Sequence, residues 1–144
     1  MFFLPLFLTA QQINPAYDST LAESLGADDY GMKSYTFVIL KTGQAEIDNK
    51  SVRDSLFRGH FANMNRLADE GKLIIAGPLG ANENSYRGIF IFNATSPEEI
   101  NNMLQVDPTI REGIFEAEIY PWYGSAALPM YLEFHKKIEK IKIE

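Results

Sequence analysis

The sequence contains no cysteine. Disulfide bridges, thiolate metal sites and thiol nucleophiles are therefore excluded, while the absence fits an oxidising or a reducing compartment equally. Histidine is almost as scarce. Only His60 and His135 occur, at no metal-ligating spacing, so no metal site is expected. Positive charge is in short supply as well: 13 Lys and Arg stand against 19 Asp and Glu, a formal charge of −6. That balance argues against a nucleic-acid partner, which needs clustered cations. The one basic cluster, Lys136, Lys137, Lys140 and Lys142, is interleaved with Glu139 and Glu144 and reads as a solvated helix face. No phosphate-cradling loop, Gly-x-Ser-x-Gly elbow or internal repeat occurs, so no cofactor is expected. No apolar run approaches the roughly 20 residues that a membrane-spanning helix needs.

What is present describes one globular domain. A chain of 144 residues, 46% hydrophobic and 22% charged, is long enough for one core and too short for two ordinary ones. Phe2 to Ala10 is apolar and resembles the core of a secretory signal, truncated because no Lys or Arg precedes it. It suggests a secreted or periplasmic protein, with a buried apolar segment in a cytoplasmic protein as the alternative. Residues 11–31 are polar, with Pro15, Gly26 and Asp28-Asp29, and read as an arm with a weak helical patch at Leu21 to Leu25.

From Met32 the chain alternates strand and helix signals. Ser34 to Lys41 is β-branched and aromatic and reads as a strand broken by Thr42-Gly43. Lys50 to Glu70 reads as a helix stopped by Gly71. Val52, Leu56, Phe57, Met64 and Leu67 fall on one side of it, and His60 projects near the middle of that apolar arc. An imidazole there needs a partner. It is either a core histidine bonded to a backbone carbonyl or a site the fold has made room for. Leu73 to Ala76 is a short strand closed by Gly77-Pro78, and Tyr86 to Asn93 is a third strand. Ser96-Pro97-Glu98-Glu99 opens a second helix running to about Val106. Asp107-Pro108 opens a short turn ending at Gly113, and Phe115 to Tyr123 is the fourth strand. Pro129 to about Lys142 reads as a C-terminal helix with Met130, Phe134 and Ile138 or Ile141 inward.

The order β-α-β-β-α-β is the split βαβ pattern of α+β, ferredoxin-like folds: helices on one face of a four-stranded antiparallel sheet. The other face is also apolar. Tyr35, Phe37 and Ile39 alternate with Thr36, Val38 and Leu40, and Ile89 and Ile91 alternate with Phe90 and Phe92. A solvated face would alternate apolar with polar. A second copy of the same sheet is the economical cover, so a homodimer is expected.

These residues resemble the YCII-related (YciI-like) family. The likeness lies in an ordered set: His60-x-x-x-Met64-x-x-Leu67-Ala68-x-Glu70-Gly71-Lys72-Leu73, Gly77-Pro78, Gly88 to Phe92, Ser96-x-Glu98-Glu99, Asp107-Pro108, Gly113 to Glu116, and a strand ending Tyr120-Pro121-Trp122. On this resemblance 32–123 is the family domain, and 124–144 is a helical extension outside it. The resemblance implies protomers that dimerise sheet to sheet as a dimeric α/β barrel, and a histidine–aspartate pair in a cleft, here His60 and Asp107. Asp107 also has a structural role before Pro108, capping the next amides. The two roles are compatible, because a carboxylate held by amides can still accept from an imidazole N–H and fix its tautomer.

The remaining residues keep two readings each. Gly77 and Pro78 either end a strand or let a small ligand approach the imidazole along bare backbone. Arg87 is either a surface residue or an anion contact. Tyr120, Trp122 and Tyr123 either pack an interface or the extension, or form an aromatic ligand wall. The function expected is cofactor-free acid–base chemistry of lyase or isomerase type on an unassigned small molecule. Its alternative is a non-catalytic dimeric module that binds or senses a small ligand, with phosphohistidine chemistry at His60 the weakest option.

Overall fold

The computed structural model describes residues 13–143; the apolar stretch Phe2 to Ala10 lies outside the described residues. Strands β1 (Met32–Thr42), β2 (Leu73–Pro78), β3 (Tyr86–Phe92) and β4 (Phe115–Ser125) form one antiparallel sheet in the order β2-β3-β1-β4. Helices α2 (Lys50–Asp69) and α3 (Pro97–Val106) join β1 to β2 and β3 to β4, with the single turn α4 (Pro108–Arg111) after α3. The core is α+β in β-α-β-β-α-β order, consistent with a ferredoxin-like fold. Helix α1 (Ser19–Leu25) lies in the polar arm, capped by the Asp18 carboxylate.

Local chemistry sets the helix ends. Asn49 caps α2 by accepting from the Val52 amide at 3.1 Å, and Gly71 follows its last turn at φ +70. Ser96 caps α3 through the Glu99 amide, with Pro97 in the first turn. The Glu99 carboxylate is paired with Lys72 at 3.2 Å, so the hydrogen bond that the Glu99 amide donates to the Ser96 hydroxyl carries the cap.

The core sits between sheet and helices. Val38 and Leu40 of β1, Leu73 of β2 and Phe90 and Phe92 of β3 pack against Leu67 of α2 and Ile100, Met103 and Leu104 of α3. The expected apolar arc of α2 is narrower than its sequence suggests. Only His60, Asn63 and Leu67 are buried, and Val52 is exposed in the first turn.

The second face of the sheet carries its own cluster of Tyr35, Ile74 and Ile91, with Phe37 and Ile75 beside it. A register shift between Leu73 and Ile75 leaves Ile74 as an extra residue in β2. Part of this face is covered by the chain itself. A 3₁₀ turn (Leu128–Tyr131) and α5 (Leu132–Ile138) lay Leu128 and Leu132 on the cluster, and the Tyr131 hydroxyl donates to the Ile74 carbonyl.

This corrects the expected C-terminal helix, which is shorter and turned the other way. Met130, Phe134, Ile138 and Ile141 are exposed, Ile138 at 78%. The segment has two apolar stripes, and the Tyr131 hydrogen bond together with the seats for Leu128 and Leu132 selects the second. Among the described residues, no helix is long and apolar enough to cross a membrane.

Candidate functional site

His60 lies near the middle of α2 and Asp107 at the junction of α3 and α4, and the fold brings them together. The imidazole Nδ1 is 2.6 Å from Asp107 Oδ2. Both groups are buried, His60 7% and Asp107 1% exposed. The other carboxylate oxygen, Oδ1, accepts from the Thr109 amide at 2.9 Å and the Thr109 hydroxyl at 2.6 Å. Asp107 therefore caps α4 and holds the imidazole with separate oxygens, so its structural and pairing roles coexist.

Burial pushes the Asp107 carboxyl up, but the hydrogen bonds from His60 and Thr109, with the charge of the imidazole when protonated, outweigh it and hold the group below its ordinary value. An ionised carboxylate can only accept, so the hydrogen between the two groups belongs to Nδ1. Thr109 has its hydroxyl proton committed to Asp107, and its oxygen stands 3.3 Å from Nδ1 as a second, weaker acceptor. The tautomer assigned from this network carries its hydrogen on Nδ1 and leaves Nε2 with a lone pair. Among the described residues Nε2 meets no hydrogen-bond partner, and none of their fully buried side-chain nitrogens and oxygens is left unpaired.

Phenyl rings surround the imidazole. Phe61 and Phe57 of α2 stand 5.3 and 6.2 Å from it between ring centres, Phe115 of β4 5.8 Å and Phe90 of β3 6.1 Å. The start of β4, which carries Phe115, is tied to the chain after β1 by hydrogen bonds from the Gly43 amide to Ile114 and from the Ala45 amide to Gly113. Gly59 sets how closely α2 approaches α4. A Cβ there would stand 2.6 Å from Pro108 Cγ, and these two residues are the chain neighbours of His60 and Asp107 respectively. Asn63, one turn after His60, donates to the Met103 carbonyl at 3.5 Å and accepts from Arg66 at 2.8 Å, linking α2 to α3.

The other sequence-derived residues are placed elsewhere. Gly77 pairs with Ile89 and Pro78 with Gly88 at the end of β2. Ile89 pairs in turn with Ile39, on the face away from the helices, so Gly77 is turned away from His60. A Cβ at Gly77 would meet nothing within 4 Å, and its bare backbone opens no route to the imidazole. Pro78 lies on the helix side, two pairs beyond the Ala76–Phe90 pair. Arg87 sits at the register shift between β1 and β3 and donates to Thr42 Oγ1 at 2.6 Å, away from Asp107. Thr109 and Gly59 were missed by sequence reasoning. A glycine in mid-helix costs about 1 kcal/mol relative to alanine, and that cost beside His60 was the available signal.

The family model described as the YCII-related domain matches residues 35–123. No curated protein matches the chain. Among solved structures, the chain is similar to the 5-chloro-2-hydroxyhydroquinone dehydrochlorinase of Burkholderia phenoliruptrix AC1100 in complex with 2,5-dihydroxybenzoquinone. The two are 23% identical, over 60% of this chain and 92% of that one, with a TM-score of 0.45.

The lowered Asp107 value fixes a pH dependence. A carboxyl depressed in the folded state stabilises it above its ordinary value of 3.8, and that contribution is lost as pH falls further, through the lowered value. Asp107→Asn is expected to cost about 1–3 kcal/mol at pH 7 and progressively less as pH falls below about 4. Urea denaturation of both proteins across that range measures the gap, and a gap of constant size contradicts the assignment.

Proposed function

The chain belongs to the YCII-related domain family, and we propose that it is a small-molecule enzyme of cofactor-free acid–base chemistry, of lyase or isomerase type, in which His60 moves the proton. The observation that carries this reading is the 2.6 Å contact of Nδ1 with a carboxylate that is itself fixed by Thr109, while Nε2 meets no hydrogen-bond partner among the described residues. In the proposed reaction Nε2 takes a proton from an acidic C–H or O–H of the substrate. The electron pair released then expels a leaving group, in an elimination. In an isomerisation it shifts within the substrate, and the imidazolium returns its proton at a second position. Asp107 keeps the ring oriented and faces the imidazolium with a negative charge. The phenyl surround lowers the local dielectric, which strengthens that attraction and suits an apolar substrate.

A panel of hydroxylated aromatics and carbonyl compounds with a β leaving group tests this reading. His60→Ala is expected to lower turnover by about 10²- to 10⁴-fold with an unchanged circular dichroism spectrum. Turnover equal to that of the unmodified protein, or a bound compound recovered unchanged, contradicts catalysis. The second of those outcomes assigns the pair to ligand binding.

We also propose that the part of the second face left open by the extension meets a second copy of the chain. Phe37, Ile39 and Ile89 are only half-buried there, and Tyr120 at the neighbouring edge is 45% exposed. Analytical ultracentrifugation at micromolar concentration is expected to give a dimer, and Phe37→Glu a monomer. A monomeric unmodified chain contradicts the proposal.

A further inference from the structure

A cavity of about 390 Å³ lies between the first turn of α3 and the outer edge of β4. Its lining shares no residue with the groups around His60. Ile100, Ile119, Pro97 and Pro121 supply apolar surface, and Thr95 and Asn101 bring polar side chains that form no hydrogen bond among the described residues. Trp122 and Tyr123 border it along β4. No Asp, Glu, Lys or Arg lines it, in a chain whose residues are 22% charged.

Independent contacts hold each wall in place. Ile100 is 1% exposed, part of the core. The Thr36 hydroxyl donates to the Ala94 carbonyl at 2.7 Å and ties the segment before α3 to β1, while Ser96 and Pro97 fix the start of the helix. The Tyr123 hydroxyl donates to Asp28 of the arm. Trp122 stacks on Tyr35 at 5.7 Å between ring centres. Its indole fills the space beside Gly124, where a Cβ would stand 2.2 Å from the ring. Such a cavity, mostly apolar with a few fixed polar groups, has the size and build of a small-molecule site.

We propose that this cavity binds an uncharged ring compound bearing a hydroxyl or carbonyl group, at a site separate from His60. A ring fits between the proline and isoleucine surfaces, and Asn101 and Thr95 can each donate to or accept from one oxygen. A charged ligand would lose its hydration with no counter-charge in the lining. An added strand is disfavoured as occupant, because Pro121 removes a backbone donor in the middle of the β4 edge.

The backbone amide of Ile119, in the cavity wall, gives one assignable resonance there in ¹⁵N-labelled protein. Benzyl alcohol is expected to move it saturably at millimolar concentration, and benzoate, the same ring with a charge, to bind at least about tenfold more weakly. Asn101→Phe, at an exposed position of α3, places a ring in the mouth and is expected to abolish the shift; Thr95→Phe serves as the second variant should the first lose its fold. His60→Ala is expected to retain it, so the result stands apart from any loss of turnover. No saturable shift, equal response to benzoate, a shift that survives the filling variant, or its loss in His60→Ala overturns the proposal.

Discussion

A single carboxylate joins three parts of this protein. Asp107 ends α3, caps α4 through Thr109, and meets His60 of α2 across the space between the helices. A buried charge is costly unless its lone pairs are occupied. Here Thr109 occupies one oxygen and the imidazole the other. Removing either partner leaves an acceptor or a donor buried without its mate, so the helices and the pair are specified together. The same hydrogen bonds that cap a short helix hold the imidazole in one tautomer, and the arrangement links stability directly to the chemistry proposed for it.

The rest of the domain supports that junction. The sheet places Phe90 and Phe115 beneath the imidazole from two different strands, and α2 places Phe57 and Phe61 beside it. Gly59 lets Pro108 approach α2 closely enough for the 2.6 Å contact. On the far side of the sheet the C-terminal extension seals the Tyr35, Ile74 and Ile91 cluster, and the more exposed part of that face lies toward Ile39, Ile89 and Tyr120. The two faces thus differ: one buries the hydrogen-bonded His60–Asp107 pair, and the other is divided between the chain's own tail and a more exposed apolar surface.

Local signals made much of this legible in the sequence. Ser96-Pro97 named the start of α3 because an N-cap and a fixed φ act within one turn. His60 stood out because a polar ring interrupted an apolar arc, and Asp107 because it preceded a proline at a helix start. Other features depend on convergence in space and carry no local mark. The four phenylalanines come from three elements, and Thr109 reaches Asp107 through a side chain that reads as an ordinary first-turn residue. The C-terminal segment shows the limit of periodicity. Met130 and Phe134 form one apolar stripe and Leu128 and Leu132 another, and only the seats on the second face decide between them. Gly77 shows a related limit, since its pairing with Ile89 settles which face it serves.

The most direct test of the account is the tautomer of His60, read from long-range ¹⁵N–¹H correlations of the imidazole at a pH where the ring is neutral. The expected spectrum shows a hydrogen on Nδ1, shifted downfield by its bond to Asp107, and an unprotonated Nε2, with the downfield signal lost in Asp107→Asn. A ring with its hydrogen on Nε2, or an Nδ1 signal unchanged by Asp107→Asn, would contradict the pairing on which the proposed proton transfer depends.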